Sequence, residues 1–269
     1  MQSHALDRPK LASGYNYEAL VNSIESLGDP SASKKSNLQF VRSLGDPDTI
    51  LPLLREFMSD SNLLQMIAKR SYRHVNHFDK VVLVDSQKPN GYRLTLHIWN
   101  PPFSEKECQD ELIHDHRFSF WSTILVGHLK TQEFFVDQDT DDFNSYQYTP
   151  ENSNSENFYK FRGRYGLKKA RRLEEKAGGV YYLSYDTTHR VELPEKALTC
   201  TLVLRSPRER NFSNVYNTNY PTTDASLSNR MFEPNEMFGH FSCLYTKIEE
   251  NRCDRRIEER SLFSVPKEN

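Results

Sequence analysis

His114 and His116 flank Asp115 in the stretch IHDHRFSF, and a third histidine, His189, follows 73 residues past His116 in SYDTTHRVEL. Side chains at i and i+2 of a strand emerge on one face, so His-x-His can present two imidazoles to a single metal ion. Both stretches are bordered by β-forming residues, which is the context such a pair needs. His97 alternates with Thr95 and Trp99 in YRLTLHIW and is expected to face the same interior. His74 and His77 form an H-x-x-H pair that reads as surface histidines. The acidic run Asp137 to Asp142 lacks EF-hand spacing and reads as a solvated loop.

The elements that must position these residues fall into three stretches. From Tyr15 to about Arg70 the apolar spacing is helical: Ala19, Leu20, Ile24 and Leu27 recur at helical intervals, and Asp-initiated caps open DPDTILPLLREFM and SDSNLLQMIAKR. Gly28 to Ser36 reads as a loop between helices. From Lys80 to Arg205 the runs KVVLVD, YRLTLHIW, FWSTILVGHL, TQEFFVD, GVYYLS, HRVEL and ALTCTLVLR are separated by Pro, Gly, Asn and Asp clusters. That texture predicts an antiparallel all-β sandwich or barrel. Gln138 to Glu156, poor in aliphatics, reads as a long surface loop or disordered excursion. Beyond Pro207 the chain is polar and irregular apart from MFGHFSCLYTKI. The expected division is a helical extension over 1–70, a β barrel over 71–207, and a C-terminal extension over 208–269 packing on the barrel.

The two histidine stretches resemble the paired motifs of the cupin superfamily, with IHDHRFSFWSTILVG as the first and GGVYYLSYDTTH as the second. The resemblance implies a mainly β fold: a cupin (double-stranded β-helix, jelly-roll) barrel with an N-terminal helical cap. Phe120 or Trp121 stands where cupins carry a glutamate, so the implied ligand set is His114, His116 and His189 with no carboxylate. IHDH at Ile113 to His116, HRVE at His189 to Glu192 and LRSP at Leu204 to Pro207 are similar, in that order, to the three-His thiol dioxygenases of the cysteine dioxygenase type. This similarity covers about Ser71 to Pro207. It implies a mononuclear non-haem Fe(II) dioxygenase acting with O2 on a small anionic, thiol-bearing substrate, with zinc or another divalent first-row metal able to replace iron on purification. Three neutral imidazoles leave the ion its full 2+ charge and several open positions, which favours an anionic substrate arm.

By the same resemblance Arg73, in SYRHV, stands where the family holds the substrate carboxylate, and Arg205 offers a second planar fork for an oxyanion. His97 and Trp121 are expected to line the substrate pocket, and Tyr185 to lend its hydroxyl to bound oxygen. The family's Ser-x-His-x-Tyr strand here reads Thr201, Val203 and Arg205, and no Cys stands near Phe120 for its Cys–Tyr cross-link. The implied substrate therefore differs from cysteine. On the same scaffold the alternatives are a ligand-binding cupin without turnover and a metal-dependent isomerase or hydrolase, because one fold hosts many chemistries.

With 35 Lys+Arg against 37 Asp+Glu over 269 residues the net charge is -2, which removes the electrostatic footprint of a non-specific nucleic-acid binder. No apolar stretch approaches the roughly 20 residues that cross a bilayer, and MQSHALDRPKLAS lacks an apolar signal core. Cys108, Cys200, Cys243 and Cys253 have no CxxC spacing, which fits a reducing, cytoplasmic setting.

Overall fold

The computed structural model describes residues 15–149, 159–221 and 230–263, with side chains described as far as residue 254. Short polar residues start most of its helices. Asn16 caps α1 (Tyr17–Glu25) by accepting from the Ala19 N–H; α2 (Lys34–Leu44) follows a loop. Asp46 caps α3 (Pro47–Ser59), with proline at the first helical position where its missing N–H costs nothing. Asp60 ends α3 and opens α4 (Ser61–Ala68), accepting from the N–H groups of Asn62 and Leu63. A capping box between Ser104 and Glu107 holds the short α5 (Glu105–Gln109), and α6 (Pro234–Phe263) closes the described chain. No helix of the described residues is long and apolar enough to cross a membrane.

The strands form two antiparallel sheets. In the first, β1 (Tyr72–Arg73), β2 (Asp79–Asp85), β3 (Arg93–Trp99), β11 (Thr199–Arg205), β5 (Phe120–Val126) and β9 (Val180–Leu183) lie in that order. In the second the order is β10 (Thr188–Glu192), β4 (Ile113–His114), β12 (Ser213–Asn217), β7 (Phe143–Tyr148), β8 (Tyr159–Lys176) and β6 (His128–Asp137), and β6 pairs back to β10.

Alternation along the first sheet decides which side chains meet the helices and which meet the site. Leu94, Leu96, Ile98, Trp121, Leu202 and Leu204 pack with Leu20, Ile24, Val41, Leu54 and Phe57 in the larger core. Their strand neighbours Phe120, Ile124, Val203 and Trp99 turn the other way and join Leu129 and Leu173 of the second sheet. Gly127, between β5 and β6, has φ of 79°, and a Cβ there would stand 2.4 Å from the Leu198 carbonyl oxygen. Only glycine fits that turn without strain.

Two expectations change. The segment 138–156, read as a loop, contains β7, which pairs with β8 and β12; residues 150–158 lie outside the described residues. The long β8 carries exposed charge on both faces and so lacks the alternation that marks a half-buried strand. The stretch after Pro207, read as polar and irregular, contains regular structure. Its first part supplies β12 to the middle of the second sheet, while α6 lays Met237, Phe241, Leu244 and Ile248 into the helix-side core. Those four recur at helical spacing, and Phe241 meets Phe57 with ring centroids 5.3 Å apart.

Candidate metal centre

β4 and β10 are hydrogen-bonded neighbours, with His189 opposite His114 in register. Two residues on, where β4 has ended, the His116 N–H donates to the Tyr185 carbonyl at 2.9 Å and turns its ring towards the same place. One nitrogen from each of the three imidazoles lies within 4.8 Å of the others. His116 Nε2 and His189 Nε2 are 2.9 Å apart. Two ligand nitrogens each about 2.1 Å from one ion, and at right angles around it, stand about 3 Å apart. The pair therefore has the separation of adjacent metal ligands.

The protonation state fits as well. Burial lowers His114, and burial together with the neighbouring imidazoles holds His116 and His189 well below the usual imidazole range. At neutral pH all three are uncharged, the form that donates a lone pair. His114 Nδ1 lies 2.8 Å from the Leu112 carbonyl oxygen, so Nδ1 carries the proton and the Nε2 lone pair is left able to bind a metal. That carbonyl is aimed by a left-handed Leu112, φ 54°, a conformation a leucine adopts only when its surroundings impose it. Among the described residues nothing accepts from His189 Nδ1, which is buried.

Asp115, between two of the three histidines, faces away from the point where their imidazoles converge. Its carboxylate is buried, accepts from the Asn214 N–H and Nδ2 at 2.6 Å each, and forms an ion pair with Arg210. Arg210 also donates to the carbonyls of His116 (2.9 Å) and Tyr185 (3.2 Å). Nothing in the sequence spacing connects Asp115 with residues about a hundred positions later, so this knot is visible only in the fold. Asn76 likewise emerges only there, its Nδ2 standing 3.4 Å from His114 Nε2.

The remaining expected residues divide. His97 is on the site side, its ring stacked on Phe78 at 4.3 Å and its Nε2 3.1 Å from Thr95 Oγ1. His74, read as a surface residue, stacks on the other face of Phe78 at 4.5 Å, and burial depresses both imidazoles strongly. Arg205 is buried on the site side, its guanidinium 5.1 Å from the Phe118 ring, which leans on His116 at 5.5 Å. Tyr185 lies beneath the Arg210 guanidinium, 5.2 Å away, and its carbonyl anchors His116.

Two assignments are corrected. Arg73 does not offer a free fork: Asp79 at 3.2 Å and Glu107 at 3.1 Å already occupy it. Trp121 does not line the pocket. The alternation that turns Phe120 onto His116 sends Trp121 to the helices, where its indole N–H donates to the Lys34 carbonyl at 2.9 Å.

No protein-family model and no curated protein matches the sequence. A solved structure described as "Crystal structures of DMSP lyases RdDddP and RnDddQII" is similar over 48% of this chain, with 14% identity and a TM-score of 0.27. The similarity spans 47% of that chain, about half its length.

Proposed function

We propose that this chain is a cupin-type metalloenzyme, a mononuclear non-haem Fe(II) dioxygenase that oxidises a small anionic substrate with O2. The observation that carries the reading is the convergence of three neutral imidazoles within 4.8 Å, two on the neighbouring strands β4 and β10 and the third just past the end of β4, in a two-sheet β fold. His114, His116 and His189 would hold the ion, which supplies a Lewis-acidic 2+ charge and open positions for an anionic donor and O2. The chain's own residues do the rest. Leu112 and Tyr185 fix the direction of two imidazoles, Phe118, Phe120 and Phe78 keep the walls apolar, and Arg205 offers charge to an oxyanion. Since Thr201 and Val203 replace the serine and histidine of the thiol dioxygenase strand, that strand supplies no proton relay and the favoured substrate is an acid other than cysteine. The four cysteines are free thiols, which supports a reducing, cytoplasmic setting.

The test is to load the protein anaerobically with Fe(II), offer cysteine, 3-mercaptopropionate, cysteamine and related acids in turn, and follow dissolved oxygen. Uptake above that of a His114→Ala control supports the dioxygenase. Metal binding without uptake from any of them replaces it with a non-oxidative or ligand-binding cupin.

A further inference from the structure

β2 and β3 place Lys80 opposite His97, and β11 places Arg205 opposite Arg93 and Phe120. Register partners share a face, so Lys80 and Arg205 both project to the side that carries His97 and Phe120, the side of the histidines. Arg93 on that face is already neutralised by a two-pronged pair with Asp85, at 2.9 and 2.6 Å. Lys80 and Arg205 have no such partner: among the described residues no carboxylate forms an ion pair with either. Arg205 is 8% exposed, spends one N–H on the Gly91 carbonyl, and leaves its Nε buried and unbonded.

A buried cation without an anion is costly, and such sites are filled by a ligand or neutralised by a pKa change. We propose that Lys80 and Arg205 form an anion subsite beside the histidine centre, and that the substrate is a small acid presenting an oxyanion there in addition to the group that meets the metal. This deepens the function proposed above and rests on it for the word substrate; the subsite itself rests on the two cations.

The groups facing Lys80 support the choice of ligand. Its amine is brought down to about 7, chiefly by burial and then by the charges of Arg93, Arg205 and Arg117, with Asp85 acting weakly the other way. Its charge in turn disfavours the imidazolium forms of His74, His97 and His116, and Tyr72 lies under it with the ring 5.9 Å from Nζ. An entering oxyanion would be met by two positive charges and would return the proton to Lys80. A ligand's ammonium group would meet the same two charges with the opposite sign of energy. The chemical class is therefore a compact oxyanion, a phosphate-type or carboxylate group, on a molecule without an amine near it.

The experiment uses the full-length metal-free protein, with inorganic phosphate and succinate as separate probes at pH 7. Either probe is expected to raise the melting temperature of the wild type, and calorimetric affinity should fall at least about tenfold in Lys80→Met and in Arg205→Met. The arm that responds identifies the oxyanion. If neither probe stabilises the wild type, or if both variants respond as the wild type does, the subsite is refuted. Should a variant fail to fold by circular dichroism, the wild-type Lys80 ε-methylene signal followed by NMR decides: a saturating probe must raise its titration by at least about one pH unit. No movement overturns the proposal. Metal content is measured on the same preparations. Loss of the metal reading with the anion response intact would remove the enzyme proposal and leave the subsite standing.

Discussion

Asp115→Asn tests whether the segment carrying His114 and His116 is held by the ion pair behind it. The substitution keeps the shape and one acceptor but removes the charge that faces Arg210, whose side chain is 17% exposed against 4% for Asp115. It also turns an amide towards the Asn214 N–H or Nδ2, each now 2.6 Å from a carboxylate oxygen. Removing one partner of a buried pair costs about 3–5 kcal/mol, and the partial exposure of Arg210 brings the expectation to about 2–4 kcal/mol. For a domain of this size that lowers the melting temperature by about 4–16 °C. Because Asp115 fixes the backbone between His114 and His116, metal affinity should also fall by about 10–100-fold. Differential scanning calorimetry and competition with a chromophoric chelator measure the two effects. Arg210→Met combined with Asp115→Asn should cost less than the two single substitutions summed, since the orphaned charge is then gone and only the Arg210 bonds to the His116 and Tyr185 carbonyls are lost in addition. A single variant that melts within about 2 °C of the wild type and binds metal equally well would refute the reasoning.

Other consequences follow from the same geometry. His189→Ala should abolish most of the near-stoichiometric binding of a divalent first-row ion while the far-ultraviolet dichroism stays that of the wild type; full occupancy in that variant would remove His189 from the centre. Lys80 titrates lower in the folded than in the unfolded chain, so the unfolded state binds more protons between about pH 7 and the ordinary lysine range, and stability should rise with pH through that window by a few kcal/mol. Denaturant titrations at successive pH values check this, and an unchanged slope in Lys80→Met would contradict it. Phe241→Ala empties a fully buried site against Phe57 and should cost about 3–5 kcal/mol in chemical denaturation without changing metal content, because α6 packs on the helix side of the first sheet.

The sequence by itself determined the parts whose signals are local. Helical spacing and Asp caps marked α1, α3 and α4, and β-branched runs between turn residues marked β2, β3, β5, β6, β9, β10 and β11. His-x-His and the later His189 were legible because a strand's period of two places alternate residues on one face. The tertiary structure alone decided what the long-range partners are. β7, β8 and β12 lack apolar alternation and exist because neighbouring strands satisfy their backbone, as Ser213–Asn217 does between β4 and β7. Arg73 and Arg205 carry the same guanidinium, yet one is consumed by Asp79 and Glu107 and the other is left buried with an unbonded Nε. Trp121 and Phe120 are adjacent aromatics, yet pairing register sends one to the helices and the other to His116. A side chain's type states what it can bind; whether it is free to do so depends on which groups the fold brings within about 3 Å of it, and those come from distant positions in the chain.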